Sequence, residues 1–351
     1  MHAASRVLAA GADFTLLGPR RTIIESKRSV IAVSAVRTGV GKSQTVRHIA
    51  ERLTANRLRV AALRHPMPYG DLSAQAVQRF ASRADLDEAS ATIEEREEYE
   101  PYVERGAVVF AGVDYARILE AAEREADLIL WDGGNNDFPF VRPDLHIVLV
   151  DALRPGHETA YHPGETCLRM ADIVVIANAN AASVETVDTL ANTIGALRPL
   201  VPIVRAESVV RLDQPDAVRG RRVLVVEDGP TITHGGMATG AGYVAANEAR
   251  VREIIDSRAI AVGEIAETFG RFPDIGPVLP AMGYGAAQLA ALRETIARSC
   301  AEVVIAGTPI DLAGDLALEV PVVRARYDYR DGGEPTLWHL VACFLATLGL
   351  C

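Results

Sequence analysis

The stretch Arg37-Thr38-Gly39-Val40-Gly41-Lys42-Ser43 joins an apolar segment, Val30 to Ala35, to a segment with helical periodicity. In that second segment apolar side chains recur at i, i+3, i+4 and i+7, at Val46, Ile49, Ala50 and Leu53. A glycine-bearing turn between a strand and a helix lets backbone N–H groups and the positive end of the helix converge on an anion. The sequence therefore predicts a phosphate-binding loop in an α/β fold.

Each residue type in this loop suits one part of a magnesium nucleoside triphosphate. Gly39 and Gly41 allow the backbone to curl around phosphates, Lys42 would reach the outer phosphates, and Ser43 would place its hydroxyl on Mg²⁺. Val36 stands where the pattern GxxxxGK[ST] has its first glycine. The residues expected to contact nucleotide are Thr38, Gly39, Val40, Gly41, Lys42, Ser43 and Gln44.

The loop resembles the deviant Walker A loop, KGGxGK[ST], with Arg37 where the additional signature lysine stands. It also resembles the TGVGKT stretch of dethiobiotin synthetase, and both belong to the branch of P-loop proteins that includes MinD-like ATPases. The resemblance implies that the Arg37 guanidinium meets phosphate oxygens, either across a dimer or within the loop. A solvated loop arginine is the alternative.

Short apolar runs alternate with helical stretches along the chain, which is typical of a parallel sheet covered by helices. The expected strands are Val30 to Ala35, Arg59 to Leu63, Leu128 to Trp131, Leu145 to Val150, Ile173 to Ala177 and Ile203 to Arg205. After a polar stretch, Glu207 to Gly220, a second series follows: Val223 to Val226, Glu253 to Ile255, Val303 to Ala306 and Val320 to Arg324. A final amphipathic helix is expected at Thr336 to Leu348.

A chain of 351 residues is long for one core, so we expect several parts. Residues 1–28 are interpreted as the remnant of an upstream α/β domain, with a helix at Ala3 to Ala10 and a strand at Asp13 to Leu17. Residues 29–206 would form a P-loop NTPase domain, and residues 207–351 a C-terminal α/β substrate or accessory domain.

Polar side chains follow several expected strands, at the sheet edge where ligands bind in open α/β folds. Asp132 ends an apolar strand as a Walker B aspartate does, and would hold the water shell of Mg²⁺ with Ser43. Asp137, in the loop beyond, is a catalytic candidate for sensing the terminal phosphate or positioning a nucleophile. The candidates for contacts with an anionic substrate are Arg64, His65, Arg154, His157 and His234. Glycine- and proline-bearing structural loops are the alternative for these segments.

Net charge, apolar runs and cysteine spacing limit the kinds of partner and location that the sequence favours. The net charge of −10 disfavours a nucleic-acid backbone, and no apolar run is long enough to span a bilayer. Four scattered cysteines form no zinc or disulfide pattern, which favours a reducing, cytoplasmic location. The charge run Glu94 to Glu98 is expected to be a solvated helix face.

Taken together, several segments resemble the cyclic 2,3-diphosphoglycerate synthetase-like family, also described as predicted GTPases. These segments are AVRTGVGKSQT, RHPMPYGDL, TIEEREEYEP, WDGGNNDFPF, RPGHE, VEDGPTITHGGM and GPVLPAMGYG. Members usually carry an upstream α/β domain, so the chain is expected to lack its beginning. The resemblance implies ATP-driven closure of an intramolecular phosphoanhydride in a small, anionic, phosphorylated substrate.

The nucleotide base and the wider role stay open at this stage. Relatives described as GTPases have an NKxD-like segment where this chain has Ala177-Asn178-Ala179-Asn180. An amide cannot replace a carboxylate that accepts two guanine N–H groups, so ATP is favoured, GTP is possible, and Asn178 and Asn180 are candidate base contacts. The alternative function is a GTPase or ATPase switch or maturation factor acting on a protein partner. A homodimer is also possible.

Overall fold

The computed structural model describes residues 2–64, 72–73, 75–133, 137–282, 285–308 and 311–350. Within these residues thirteen strands form one sheet. The strands are β1 Ser29–Ala35, β2 Val60–Leu63, β3 Gln78–Phe80, β4 Val108–Ala111, β5 Leu128–Asp132, β6 Leu145–Asp151, β7 Ile173–Ala177, β8 Ile203–Leu212, β9 Arg222–Asp228, β10 Glu253–Ile254, β11 Leu279–Ala281, β12 Val303–Gly307 and β13 Val322–Asp331.

Helices of very different length connect these strands. They are α1 His2–Ala9, α2 Lys42–Ala55, α3 Arg83–Glu88, α4 Ile93–Val103, α5 Tyr115–Glu125, α6 Gly164–Met170, α7 Val184–Leu197, α8 Pro215–Val218, α9 Gly229–Ile232, α10 Ala241–Glu248, α11 Gly263–Arg271, α12 Ala286–Arg298, α13 Leu312–Asp315 and α14 Leu337–Thr347. The mixed α/β class with a largely parallel sheet, predicted from the alternating pattern, is confirmed.

The P-loop half of the sheet has the order β8-β7-β6-β1-β5-β2-β4-β3. Strand β1 runs parallel to both β5 and β6, with Val33 opposite Asp132 and Ala35 opposite Leu149. All residues of β5, β6 and β7 are buried, because helices cover both faces of the sheet. The carboxyl ends of three neighbouring strands therefore meet at one edge, beside the start of α2.

The second half joins the first through one long strand. The first residues of β13 pair in parallel with β12, and its later residues pair antiparallel with β8, with Tyr327 opposite Val210. Strand β9 lies on the other side of β12 and carries β10 and β11 along its outer edge. A continuous sheet thus brings the carboxyl end of β9 to face the P-loop.

The final helix α14 returns to the P-loop half. Leu337, Val341 and Leu345 are buried in the same core as Val46 and Ile49 of α2. The C-terminal segment thereby contributes to the core beneath the P-loop. The division into three domains stays a prediction.

The predicted strands were confirmed in position, with three differences. The expected strand at residues 13–17 is irregular and exposed, because no neighbouring strand pairs with it. Residues 207–212 extend β8, although they read as a polar connection, because their side chains pair across to β13. Strands β3, β4 and β11 were not predicted, since runs of three or four residues are too short to show a period. No helix in the described part of the chain is long and apolar enough to cross a membrane.

Candidate functional site

The loop between β1 and α2 has the backbone that its two glycines predict. Gly39 has φ +74° and Gly41 has φ +99°, both in the left-handed region, and α2 begins at the next residue, Lys42. A Cβ at position 41 would lie 2.7 Å from Nε2 of Gln44. Both the left-handed backbone and this close approach therefore disfavour any residue larger than glycine. The N–H groups of the first turn of α2 therefore open towards the loop.

A buried cluster of charges lies behind the loop, centred on Asp132 at the end of β5. The Lys42 ammonium and the Arg64 guanidinium both pair with its carboxylate, and the Tyr102 hydroxyl donates to Oδ2 over 2.7 Å. Arg64 also pairs with Glu98 of α4. Asp132 and Arg64 are each about 1% exposed, so their charges depend on one another for stabilisation.

The cluster shifts the pKa of its members. Burial raises the pKa of Asp132, but Arg64 and Lys42 outweigh burial and bring it down to about 2. Burial lowers the pKa of Lys42 more than its pairing with Asp132 raises it. Burial also raises the pKa of the Tyr102 phenol, and the negative charge of Asp132 raises it further. At neutral pH the carboxylate is therefore ionised and the phenol is a hydrogen-bond donor.

A second cationic cluster connects the P-loop to the C-terminal half. The carbonyl oxygen of Gly235 accepts from Arg37 over 2.6 Å and from Arg154 over 2.7 Å. Arg154 also donates to the carbonyls of Thr38 and Gly39, and its Nε donates to Asp151 over 2.6 Å. Both arginines thus tie the loop following β9 to the phosphate-binding loop.

Arg37 has further contacts on the side of the P-loop half. Its guanidinium meets Nδ1 of His157 at 2.8 Å and lies 5.3 Å from the centre of the Tyr161 ring. Burial lowers the pKa of His157, and the charges of Arg37 and Arg154 lower it further. Within this chain the arginine is therefore held by His157, Tyr161 and Gly235, and its contact with phosphate, within the loop or across a dimer, stays a prediction.

A cavity of about 620 Å³ lies between the two halves, within the usual size range of small-molecule sites. One wall is the P-loop together with the start of α2. The C-terminal half contributes the acidic side chains Glu227 and Asp228 from the end of β9, and Glu97 from α4 of the P-loop half also lines the cavity. The Thr308 hydroxyl donates to the Glu97 carboxylate and so links α4 to the C-terminal half. The cavity therefore has a phosphate-binding end and an acidic end.

Glu227 is held at the start of α10. Its carboxylate accepts from the N–H groups of Gly240, Gly242 and Tyr243 over 3.1, 3.2 and 2.7 Å. A Cβ at Gly240 or Gly307 would lie within 2.5 Å of Oε2, so glycine is needed there for the carboxylate to fit. Burial raises the pKa of Glu227 to about 7, although the three N–H donors oppose that rise.

The raised pKa of Glu227 gives a pH dependence of stability. The native state holds this proton up to about pH 7, whereas the unfolded chain releases it near 4.5. Stability from this group is therefore complete below pH 4.5 and is lost as pH rises through 7, by up to about 3 kcal/mol. We expect the difference in unfolding free energy between wild type and Glu227→Gln, from urea denaturation at several pH values, to change over this interval. An unchanged difference would contradict the assignment.

The structure brings most of the sequence-predicted residues to one place. Those lining the cavity are Arg37, Thr38, Gly39, Val40, Gly41, Lys42, Ser43, Gln44, Arg64, Asn178, Asn180 and His234. Asp132 lies behind Lys42, and Asp137 is close enough to influence the pKa of Lys42. Arg154 and His157 lie behind Arg37. His65 lies outside the described residues.

Both candidate base contacts already have protein partners. Nδ2 of Asn178 donates to Asp151 over 2.9 Å, and the Asn178 backbone is left-handed, with φ 57°. The Asn180 amide exchanges two hydrogen bonds with the backbone of Ser208, at 3.0 and 3.1 Å. Ser208 in turn donates to Gln44 over 3.2 Å. These contacts connect β8 to the start of α2.

Several residues of the site were not identified by the sequence analysis. Tyr102, Glu97 and Glu98 belong to α4, whose charge run was expected to be solvated, and this prediction was wrong. Glu95 accepts from Thr92, Glu97 accepts from Thr308 and Glu98 pairs with Arg64, so burial is compensated by polar partners. Glu227 and Asp228 were not among the predicted site residues, although their position at the end of an apolar strand was an available signal.

The parallel sheet, the glycine loop after β1 and the carboxylate ending β5 define the P-loop NTPase class of fold. No protein-family model matches the chain. The chain is 55% identical over 337 residues to a protein named Arginine synthetase ArcE from Thermococcus kodakarensis, covering 96% of this chain and 75% of the relative. The chain belongs to the family of that arginine synthetase, and it is an enzyme.

Solved structures show weaker likenesses. HypB from Helicobacter pylori in complex with nickel is 16% identical, with a TM-score of 0.31 over 58% of this chain and 82% of that one. A ParA family ATPase from Chlorobium tepidum is 13% identical, with a TM-score of 0.28 over 51% and 84%. At these scores the likenesses carry no weight for function.

Proposed function

We propose that this enzyme is a nucleotide-dependent synthetase that forms arginine, with the triphosphate at the P-loop end of the cavity and the arginine precursor at its acidic end. The proposal rests on one observation: Glu227 and Asp228 of the C-terminal half, together with Glu97 of α4, line the same cavity as the P-loop. Carboxylates attract an amino or guanidinium group and repel a polyanion. The name of the relative, Arginine synthetase, supplies the product.

At the nucleotide end, the N–H groups of the P-loop and of the first turn of α2 would hold the phosphates. Lys42 pairs with Asp132 in the structure. When nucleotide binds, its ammonium group would move from Asp132 to the outer phosphates. Ser43 and Asp132 offer hydroxyl and carboxylate oxygens, the hard ligands that suit Mg²⁺. When bound, the ion would neutralise charge on the phosphates.

At the substrate end, the chemistry of arginine formation fits phosphoryl transfer. A ureido group differs from a guanidinium in one atom, because an oxygen stands where arginine has nitrogen. Transfer of the terminal phosphoryl group to that oxygen creates a leaving group, ammonia then forms the new C–N bond, and phosphate departs with the oxygen. The balance is ureido compound, ammonia and nucleoside triphosphate giving arginine, nucleoside diphosphate and phosphate.

The residues between the two ends would position this transfer. Arg37 begins the P-loop and contacts Gly235 of the C-terminal half, which supports a role in holding the transferred phosphoryl group between the halves. Arg64 is fixed by Asp132 and Glu98 and lines the same cavity. Asp137 and Arg154 would act on the loops rather than on the substrate. We propose ATP as the nucleotide, with GTP possible, because Asn178 is an amide engaged with Asp151.

A second candidate function is the cyclising reaction, closure of an intramolecular phosphoanhydride in a phosphorylated acid. The observation in its favour is the cationic cluster of Arg37, Arg154 and His157 beside the P-loop, with His234 also lining the cavity. These groups could hold additional phosphates. The acidic wall opposes this reading, because a bisphosphate would lie near Glu227 and Asp228. A switch acting on a protein partner, a homodimer and a cytoplasmic location stay predictions.

Binding measurements separate the two candidates. With the P-loop filled by a non-hydrolysable MgATP analogue, arginine is expected to bind saturably and 2,3-diphosphoglycerate to bind at least tenfold more weakly, as measured by calorimetry. Arginine affinity is expected to rise between pH 6 and 8 as Glu227 ionises. The reverse preference would favour the cyclising ligase.

A variant locates the substrate end. Glu227→Gln is expected to weaken arginine binding at least tenfold and to leave affinity for the nucleotide analogue within twofold. Glu253→Gln is the matched control, because Glu253 lies on the neighbouring strand, pairs with Arg222 and does not line the cavity. Equal arginine affinity of both variants would remove Glu227 from the site.

A further inference from the structure

A second, smaller hollow shares two lining residues, Arg47 and Tyr327, with the main cavity. Its volume is about 50 Å³, room for roughly four waters or one tetrahedral oxyanion. Four arginines line it, together with Glu104 and Asp328. These arginines are Arg47 of α2, Arg105 after α4, and Arg324 and Arg326 of β13.

Three of the four arginines of this hollow have no direct carboxylate partner among the described residues. No carboxylate of the described residues lies within ion-pairing distance of Arg47, Arg105 or Arg324, while Arg326 is paired with Asp213. The two acidic residues of the hollow are engaged elsewhere, Glu104 with Arg83 and Asp328 with Arg211. Asp213 compensates Arg326, so the positive charge of the hollow that has no direct ion-pair partner in the described part of the chain belongs to Arg47, Arg105 and Arg324, with Glu51 and Glu100 acting on them only at longer range.

Partial burial makes the positive charge of these arginines unfavourable to the stability of the fold. Arg47, Arg105 and Arg324 are half-buried, and burial lowers the pKa of both Arg105 and Arg324. The next cause in each case is a neighbouring arginine, Arg47 for Arg105 and Arg326 for Arg324. A fold that gathers like charges away from water gains stability when a counter-ion pairs with them. Guanidinium groups suit phosphate oxygens, which accept their paired N–H donors.

We propose that this hollow is a binding site for a phosphate-sized oxyanion, separate from the nucleotide cavity and joined to it by Arg47 and Tyr327. Both residues line both cavities, and the Arg47 guanidinium lies 5.4 Å from the centre of the Tyr327 ring. Arg47 is also on α2, about one and a half turns beyond Lys42. The occupant of the hollow therefore adjoins the helix that carries the P-loop lysine. This inference goes beyond the proposed function and does not depend on arginine formation.

The test is a phosphate titration with the P-loop already filled. Wild type, saturated with a non-hydrolysable MgATP analogue, is titrated with inorganic phosphate at ionic strength held constant with chloride, and binding is measured by calorimetry. We expect saturable binding at one site per chain. Absence of saturable binding beyond the chloride control would overturn the proposal.

Variants assign the binding to the hollow. The double variant Arg105→Gln/Arg324→Gln is expected to bind phosphate at least tenfold more weakly, while its affinity for the nucleotide analogue stays within twofold. Arg205→Gln/Arg330→Gln is the matched control, because these exposed arginines of β8 and β13 pair with Asp188 and Glu207 outside the hollow. Phosphate affinity in the Arg105/Arg324 variant equal to that of wild type would contradict the assignment.

Two further measurements keep the test decisive. Without phosphate, Arg105→Gln/Arg324→Gln is expected to unfold at the same temperature as wild type or higher, because like charges have been removed. With phosphate, only wild type and the control variant are expected to gain stability in proportion to occupancy. Titration with ribose 5-phosphate distinguishes the source: equal affinity indicates recognition of a phosphoryl group on a larger ligand, and binding of phosphate alone indicates the free ion.

Discussion

Replacement of Lys42 by alanine is expected to reduce substrate-dependent nucleotide turnover by about 10²- to 10³-fold or more, the loss typical when a preorganised charge is removed from a transfer reaction. Lys42 is the side chain that lies between the P-loop and the buried carboxylate of Asp132. Release of nucleoside diphosphate, followed with saturating substrate, measures the effect.

The sequence offers a matched control for this experiment, because Lys42 and Lys27 are its two lysines. Lys27 has a side chain that is 87% exposed and pairs with Glu123 at 4.0 Å. Lys27→Ala is expected to retain turnover within twofold. Normal turnover by Lys42→Ala would remove this residue from the reaction.

Asp132→Asn is expected to have two separate effects. Turnover dependent on Mg²⁺ should be lost, while nucleotide binding is retained through the P-loop. The fold should also lose roughly 3–5 kcal/mol, because the substitution leaves Lys42 and Arg64 as buried cations without their shared partner. Urea denaturation and calorimetric nucleotide titration measure the two effects independently.

Asp127→Asn provides the comparison for Asp132→Asn. Asp127 directly precedes β5, and it pairs with Arg59 near the surface, where ion pairs contribute about 0–1 kcal/mol. A stability loss in Asp132→Asn no larger than in Asp127→Asn would contradict the role of the buried cluster. Retained turnover would contradict the catalytic assignment.

The sequence predicted the elements whose signals are local. Buried parallel strands are continuous apolar runs, so β1, β5, β6 and β7 could be located to within about a residue. The P-loop was predictable because left-handed backbone at Gly39 and Gly41 needs glycine.

The acidic end of the cavity could not be predicted in the same way. Its formation depends on β13 pairing with β8 across more than a hundred residues, which brings Glu227 opposite the P-loop. The burial of the charge run of α4 is also non-local in origin, because Glu97 and Glu98 are partnered by Thr308 and Arg64, which lie elsewhere in the chain. Patterns of charge alone do not show which opposite charge a helix will meet.

ATP-dependent arginine formation can be tested by phosphorus NMR of the enzyme with MgATP, ammonium and citrulline, the ureido analogue of arginine, combined with amino-acid analysis. Nucleoside diphosphate, phosphate and arginine are expected to appear in equal amounts, and Lys42→Ala and Glu227→Gln are both expected to suppress all three. Hydrolysis of nucleotide at the same rate with and without these substrates, or a cyclic phosphoanhydride signal formed from 2,3-diphosphoglycerate in their place, would contradict this function.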